Sequence, residues 1–296
     1  MATPSPDLWA QLPPHKLRSL ARAWLDEDCP FAEAAAGAVG RAPLRAQLLA
    51  KSPGVLAGAP FAQAAWEEVG CSVTWLLAEG SRLPAGRTPV AAVEGPAAAV
   101  LLAERAALNA VGRCSGVATA AARAVEVARG AGWAGAVAGT RKTTPGFRLA
   151  EKYALAVGGA EPHRPGLGSL VLLKDNHLAA ARAPLEQVLE VARRAGGFTQ
   201  RLGVECGSVG DAVRAAEAGV DVVLLDNFTP QELHRAAAAV KASAPQVRVE
   251  ASGGIGLENL PLFLGPHVDV VSMGCLTHGA ASLDFALRVL RPDEEP

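Results

Sequence analysis

Val220-Asp221-Val222-Val223-Leu224-Leu225-Asp226-Asn227 is a β-branched and aliphatic run that stops on a carboxylate and an amide. An apolar run of this length, interrupted only by Asp221 near its start, reads as a strand buried on both faces, as in a parallel sheet. The pattern recurs five times. Residues 134–139 lead into Thr140-Arg141-Lys142, 170–173 into Lys174-Asp175-Asn176, and 202–204 into Glu205. Residues 247–249 lead into Glu250-Ala251-Ser252-Gly253-Gly254, and 268–271 into Ser272-Met273-Gly274. The polar signatures fall at 141, 174, 205, 226, 252 and 274, so they are 33, 31, 21, 26 and 22 residues apart. Each interval holds a strand plus a crossover helix. Such a ladder predicts a parallel β/α barrel, whose strand carboxyl ends converge on one mouth. That mouth is expected to gather Arg141, Lys142, Lys174, Glu205, Asp226 and a Ser-Gly-Gly loop.

Outward from the ladder the pattern changes. Residues 15–28 and 61–69 have helical spacing, and 44–49, 55–57, 71–77 and 88–93 read as strands, with turns at Glu79-Gly80 and Pro84-Ala85-Gly86. Strands mixed with helices, without the βα rhythm, predict a separate α+β domain over residues 1–115, with the barrel over 116–279. A helix from 97 to 128, broken near Gly112 or Gly116, is expected to connect them. Residues 282–290 read as an amphipathic helix, in a segment (280–296) expected to pack back on the first domain.

Composition narrows the function classes. Of 296 residues, 50% are hydrophobic but only 4% aromatic, so packing relies on Ala, Val and Leu. Lys and Arg total 28 against 29 Asp and Glu, leaving no global basic field for nucleic acid or an anionic membrane. Five cysteines without a C-x-x-C pair argue for reduced thiols rather than a disulfide framework or zinc site. No signal peptide is visible, and no apolar run reaches the ~18–20 residues of a membrane span. A soluble, cytoplasmic protein is expected.

The expected mouth has a definite chemistry. Arg141, Lys142, Arg164 and Lys174, with His163 beside Arg164, suit a small polyanion: Arg grips carboxylate or phosphate bidentately and Lys supplies a point charge. Ser252-Gly253-Gly254 and Gly274 close the last two strands ahead of helix-like stretches near Leu257 and Leu276. Glycine admits phosphate to the backbone N–H groups there, and loops after the last barrel strands are a recurrent phosphate site. Glu205 and Asp226 end neighbouring strands and suit Mg²⁺, ribose hydroxyls or a developing cation on carbon. Asn176, His177 and Asn227 are read as support for the mouth.

Thr140-Arg141-Lys142-Thr143-Thr144-Pro145-Gly146, Lys174-Asp175-Asn176-His177, Leu225-Asp226-Asn227-Phe228 and Glu250-Ala251-Ser252-Gly253-Gly254 together carry a resemblance. With His163-Arg164, Lys51-Ser52-Pro53-Gly54 and Glu104-Arg105-Ala106, the chain resembles the quinolinate phosphoribosyltransferase family over nearly its whole length, and the animal members most. The resemblance implies an N-terminal α/β sandwich domain plus an incomplete parallel β/α barrel. It implies transfer of a phosphoribosyl group from 5-phosphoribosyl 1-pyrophosphate to quinolinate with loss of CO₂ and Mg²⁺ as cofactor. It assigns quinolinate to Arg141, Lys142, His163, Arg164 and Lys174, with Arg105 reaching in from a partner subunit. Glu205 and Asp226 take the ribose and metal, while Ser252, Gly253, Gly254 and Gly274 take the 5′-phosphate; Lys142, Lys174, Glu205 and Asp226 are the expected catalytic group. A homodimer with shared sites, assembled into a hexamer, is implied as well. Gly203 departs from the family, in which a second acid often precedes Glu205, and Pro165 biases Arg164 towards extended backbone. Two other activities stay open: a related phosphoribosyltransferase that does not decarboxylate, and a Schiff-base aldolase using Lys174. A non-catalytic sensor of phosphorylated metabolites is a third reading.

Overall fold

The computed structural model describes residues 7–291 and Glu294. The chain divides into two compact units, each discontinuous in sequence: Met1–Ala120 with Leu149–Gly159 and Ala280–Pro296, and Ala121–Arg148 with Ala160–Gly279.

The first unit is built from α1 (Pro14–Asp28), α2 (Ala36–Val39), β1 (Pro43–Ala50), β2 (Gly54–Val55), α3 (Ala59–Glu68), β3 (Ser72–Trp75), β4 (Arg82–Leu83), β5 (Thr88–Pro96) and α4 (Ala97–Leu102). Helix α5 (Glu104–Gly130) follows and runs on into the second unit's stretch of sequence. The second unit's ladder is β6 (Ala136–Ala138), β7 (Val171–Leu173), α7 (Asp175–Ala181), α8 (Leu185–Gly196), β8 (Leu202–Cys206), α9 (Val209–Glu217), β9 (Val222–Asp226), α10 (Pro230–Ser243), β10 (Arg248–Ser252), β11 (Val270–Ser272) and α11 (Cys275–His278). Helix α6 (Arg148–Val157), from within the ladder, and β12 (Phe285–Val289), from beyond it, belong to the first unit.

The first unit's sheet is antiparallel in the order β12-β1-β5-β3. Helix α3 packs on α1 and β3, and Trp66 in it is fully buried, its indole N–H donating to Val100 O at 3.2 Å. The predicted strand at 55–57 pairs only over Gly54–Val55. Beyond that, α5 hydroxyls take over the backbone: Thr119 accepts from Val55 N at 2.9 Å and Ser115 from Ala57 N at 3.0 Å.

Two local expectations are overturned here. Residues 285–289 form β12, paired antiparallel with β1 (Leu48 with Leu287), not an amphipathic helix. The long helix breaks at Ala103, where α4 ends, and runs unbroken through Gly112 and Gly116. Those glycines serve close approach instead. A methyl at Gly112 would lie 2.8 Å from Leu283 O, and one at Gly116 would collide with Ala281 O. They let the chain entering β12 lie against the helix, and Leu283 N donates to Gly112 O at 3.0 Å.

One buried acid gives this unit a pH dependence. Glu79 Oε1 accepts from Ala59 N at 2.5 Å, beside the start of α3, while its Oε2 is buried. Burial pushes its carboxyl up to about 7, against the lowering pull of the Ala59 and Gly58 backbone bonds. A raised folded-state value means that Glu79 stabilises the fold below its unfolded value near 4.5, and that this contribution is lost as pH rises through about 7. Glu79→Gln is expected to flatten the stability profile between those pH values, removing a dependence of about 3 kcal/mol. Urea unfolding at a series of pH values checks this; an unchanged profile in the variant excludes Glu79 as its source.

The second unit's sheet is parallel, in the order β6-β11-β10-β9-β8-β7. Strands β6 and β7 are its two edges and do not pair with each other, so the barrel is incomplete. Helices α8 and α9 pack on β8, and α10 on α9 and β10. Val204, Val223, Leu225, Val249, Ala251 and Val271 are at most 1% exposed and fill one face of the strands. The alternate positions therefore face the opposite side, and these carry the polar groups.

Candidate active site

A cleft of about 650 Å³ opens at the carboxyl ends of these six strands. Thr140, Arg141 and Lys142 reach it from beyond β6, Lys174 from beyond β7, and Glu205 and Asp226 from β8 and β9. Glu250, Ser252, Gly253 and Gly254 come from β10 and its loop, Ser272 and Gly274 from β11, and His163 and Arg164 from the loop before β7. Of the residues expected at the mouth, Asn176, His177, Asn227 and Arg105 do not line this cleft; Arg141, Lys142, His163, Arg164, Lys174, Glu205, Asp226, Ser252, Gly253, Gly254 and Gly274 all do. Arg105 lies in the first turn of α5 in the first unit, its side chain 61% exposed and 4.0 Å from Glu104.

Sheet register sets two heights in the cleft. Glu205 and Glu250 both pair with Leu224, so they stand level on β8 and β10. Asp226 pairs with Ser252, two residues nearer the strand ends. Glu205 makes an ion pair with Lys174, and Asp226 accepts from Asn227 Nδ2 at 2.6 Å. Lys174 is 45% exposed in that pair. A Schiff-base lysine needs a neutral, desolvated amine, so this setting tells against the aldolase reading.

Whereas Lys174 is held by an acid, Arg164 is held by backbone. Arg164 Nη1 donates to Leu170 O at 2.9 Å, and burial, then the neighbouring Arg141, push its guanidinium below the ordinary value, with Glu250 opposing. Arg141 Nε is buried and has no hydrogen-bond partner among the described residues. Two guanidiniums this close repel unless an anion lies between them. Lys142 is anchored through its backbone, its carbonyl accepting from Thr277 Oγ1 at 2.6 Å.

The glycines fit a cradle, though with less helix behind them than expected. Gly253 has φ +97°, and a methyl there would sit 2.5 Å from the backbone nitrogen of Asn227, so no other residue fits. At Gly274 a methyl would lie 2.9 Å from Lys142 Cδ, which keeps that lysine beside the loop. The helix expected near Leu257 is instead a turn followed by a 3₁₀ segment, Leu260–Phe263, and α11 after Gly274 is four residues long. Backbone N–H groups and Lys142, rather than a long helix dipole, are what this end offers an anion.

Glu250 was missed as a cleft residue. It is 4% exposed, and both its carboxylate oxygens lie 3.2 Å from His163 Nε2. Period-two alternation from Ser252 points to it. Gly203, the departure on β8, is closely packed: a methyl there would meet Leu172 Cδ1 at 3.0 Å. A longer side chain at 203 requires Leu172 to move.

Residues 33–115 match the N-terminal domain, and residues 117–288 the C-terminal domain, of quinolinate phosphoribosyl transferase. The chain belongs to the quinolinate phosphoribosyltransferase family. Its relatives in this family include the human nicotinate-nucleotide pyrophosphorylase (carboxylating), 57% identical over 286 residues, with 96% of this chain and 95% of the human one covered. The Dictyostelium discoideum protein of the same name is 37% identical, covering 94% and 97%. Among solved structures, NadC from Streptococcus pyogenes superposes with a TM-score of 0.85 at 34% identity, covering 97% of this chain and all of that one. The α/β architecture expected from the sequence is thus that of the family. Among the described residues no helix is long and apolar enough to cross a membrane.

Proposed function

We propose that this protein makes nicotinate mononucleotide, pyrophosphate and CO₂ from quinolinate and 5-phosphoribosyl 1-pyrophosphate, a decarboxylating step of de novo NAD synthesis. Family membership supports the reaction class. The observation that supports this substrate is that Arg141 and Arg164 act on each other electrostatically, with the Arg141 Nε buried, in a cleft that Ser252, Gly253, Gly254 and Gly274 also line. Quinolinate has two adjacent carboxylates, which match two guanidiniums and the Lys174 ammonium. Lys142 and His163 complete that end. Ser252, Gly253, Gly254 and Gly274 would take the 5′-phosphate.

The chemistry follows from charge. The quinolinate ring nitrogen attacks the anomeric carbon as the bond to pyrophosphate breaks, through an oxocarbenium-like state. Glu205 and Asp226 face that developing positive charge and stabilise it. Entry of the diacid draws Lys174 away from Glu205, freeing the carboxylate for the sugar. Glycosylation leaves the ring nitrogen positive. The neighbouring carboxylate then leaves as CO₂, and its electron pair stays on carbon beside that charge until a proton arrives. The residues supply orientation and exclude water rather than a covalent bond.

Mg²⁺ fits this set as a substrate-borne ion. Among the described residues no group of three or more His, Cys, Asp and Glu side chains is arranged to hold a metal. Mg²⁺ commonly takes one or two carboxylates plus substrate phosphates and water, and Asp226 with Glu205 would supply those carboxylates. When bound, the ion neutralises the departing pyrophosphate.

The same reading makes the enzyme a cytoplasmic homo-oligomer, a dimer with shared sites built into a hexamer. Its five cysteines are free thiols, as a reducing compartment requires. Arg105, exposed on α5, would serve the partner's cleft. Mixing Arg105→Ala with Lys174→Ala subunits should then restore roughly a quarter of wild-type activity at equal proportions, because one site in each mixed dimer is intact. No recovery after confirmed subunit exchange would exclude sharing. The reaction itself is tested with purified protein, both substrates and Mg²⁺. Equal amounts of nicotinate mononucleotide and CO₂ are expected; product from nicotinate but none from quinolinate would favour the non-decarboxylating alternative.

A further inference from the structure

Glu250 is an acid with almost no contact with water, on the cleft-facing side of a central strand. A buried carboxylate is retained only where partners compensate it. Its partner is His163, whose Nε2 lies 3.2 Å from both oxygens. The other ring nitrogen is also used: His163 Nδ1 accepts the Arg164 backbone N–H at 2.7 Å. An acceptor at Nδ1 places the ring proton on Nε2, where it is donated to Glu250.

The backbone under that ring is strained. His163 has φ +60°, in the left-handed region that costs a non-glycine residue energy and needs local support. The loop is pinned on either side. Glu161 joins the edge of β6, donating to Val137 O at 2.8 Å and accepting from Gly139 N at 2.9 Å. Arg164 is tied to Leu170 O. Between these ties, the Glu250–His163 contact runs from the loop's tip to the sheet.

From this we infer that Glu250 is a positioning residue for the proposed reaction: its carboxylate holds His163 in its left-handed conformation and thereby aims the Arg164 guanidinium at the pyridine diacid. The assignment rests on the function proposed above. Glu250 needs no contact with either substrate. Its effect is geometric, through the length of the side chain and an acceptor at its end. Loss of that contact should therefore weaken the diacid end of the cleft and spare the sugar-phosphate end.

Three variants separate geometry from charge. Glu250→Ala should raise the quinolinate KM at least tenfold while the KM for 5-phosphoribosyl 1-pyrophosphate moves less than twofold. Glu250→Gln keeps both length and an acceptor, so its quinolinate KM should stay within threefold of wild type. Glu250→Asp keeps the charge but draws it back by one methylene, so it should behave like the alanine variant. Glu250→Ala should also add nothing to His163→Ala if it acts through that ring. Should the alanine variant fail to fold, the Gln and Asp pair carries the test. A normal Asp variant with a defective Gln variant overturns the inference in favour of charge, as do equal changes in both KM values or additive losses in the double variant. Wild-type protein without turnover would instead defeat the proposed reaction. The pairing would then be read from ¹⁵N-labelled histidine, where His163 is expected as a single Nε2–H tautomer in wild type and as a mixture in Glu250→Ala; a mixture in wild type overturns it.

Discussion

Arg164→Ala should weaken quinolinate binding by roughly 30- to 700-fold, about 2–4 kcal/mol, the loss of a charge-assisted contact that leaves a carboxylate unpaired. The guanidinium is fixed by Leu170 O on one side and by the loop carrying His163 on the other, so it enters binding already ordered. Pre-ordering makes its loss costly, because the wild-type protein pays little entropy to use it. The neighbouring Arg141 cannot substitute, because its own Nε is buried and it is already assigned to the diacid in the proposed site. Lys in place of Arg should recover only part of the loss, since an ammonium cannot make two parallel bonds. Binding calorimetry with quinolinate alone reads this directly. An affinity within twofold of wild type would remove Arg164 from the diacid site.

Glu205→Ala is expected to act on turnover rather than on binding. In the proposed reaction its carboxylate faces the sugar; in the structure it pairs with Lys174. Removing it should lower kcat by about 10²–10³, the usual cost of deleting one group that stabilises transition-state charge. The quinolinate KM should not rise and is expected to fall, because Lys174 no longer has to be drawn from a carboxylate before it meets the diacid. The ion pair is half open to solvent on the lysine side, so stability should change by less than about 1 kcal/mol. Steady-state kinetics with both substrates varied separates the two effects. A large rise in quinolinate KM with unchanged kcat would make Glu205 a structural partner of Lys174 and nothing more.

The second unit was legible because a buried parallel strand is an apolar run with an abrupt polar end. That is why the sequence alone places Lys174, Glu205, Asp226 and Ser252 at one mouth. Glu250 opens the polar signature after the run at 247–249 but drew no role there, because the Ser-Gly-Gly behind it supplied the phosphate reading, although it shares a strand face with Ser252. Its partner His163 is brought to it by a loop whose left-handed turn no periodicity encodes. β12 escaped for a different reason. Its partner β1 lies near the opposite end of the chain, and the segment carries both patterns: Phe285, Leu287 and Val289 alternate as in a strand, while Leu283, Ala286, Leu287 and Leu290 fit a helix stripe. Gly112 and Gly116 read as helix breakers only while the segment they accommodate is unknown.

The cleft's division into a diacid end and a phosphate end is tested most directly by a crystal structure of the protein soaked with quinolinate alone. The two carboxylates should lie between Arg141, Arg164 and Lys174, with the ring nitrogen turned towards Glu205 and Asp226. Quinolinate seated on the Ser252–Gly254 loop, or outside this cleft, would contradict the assignment.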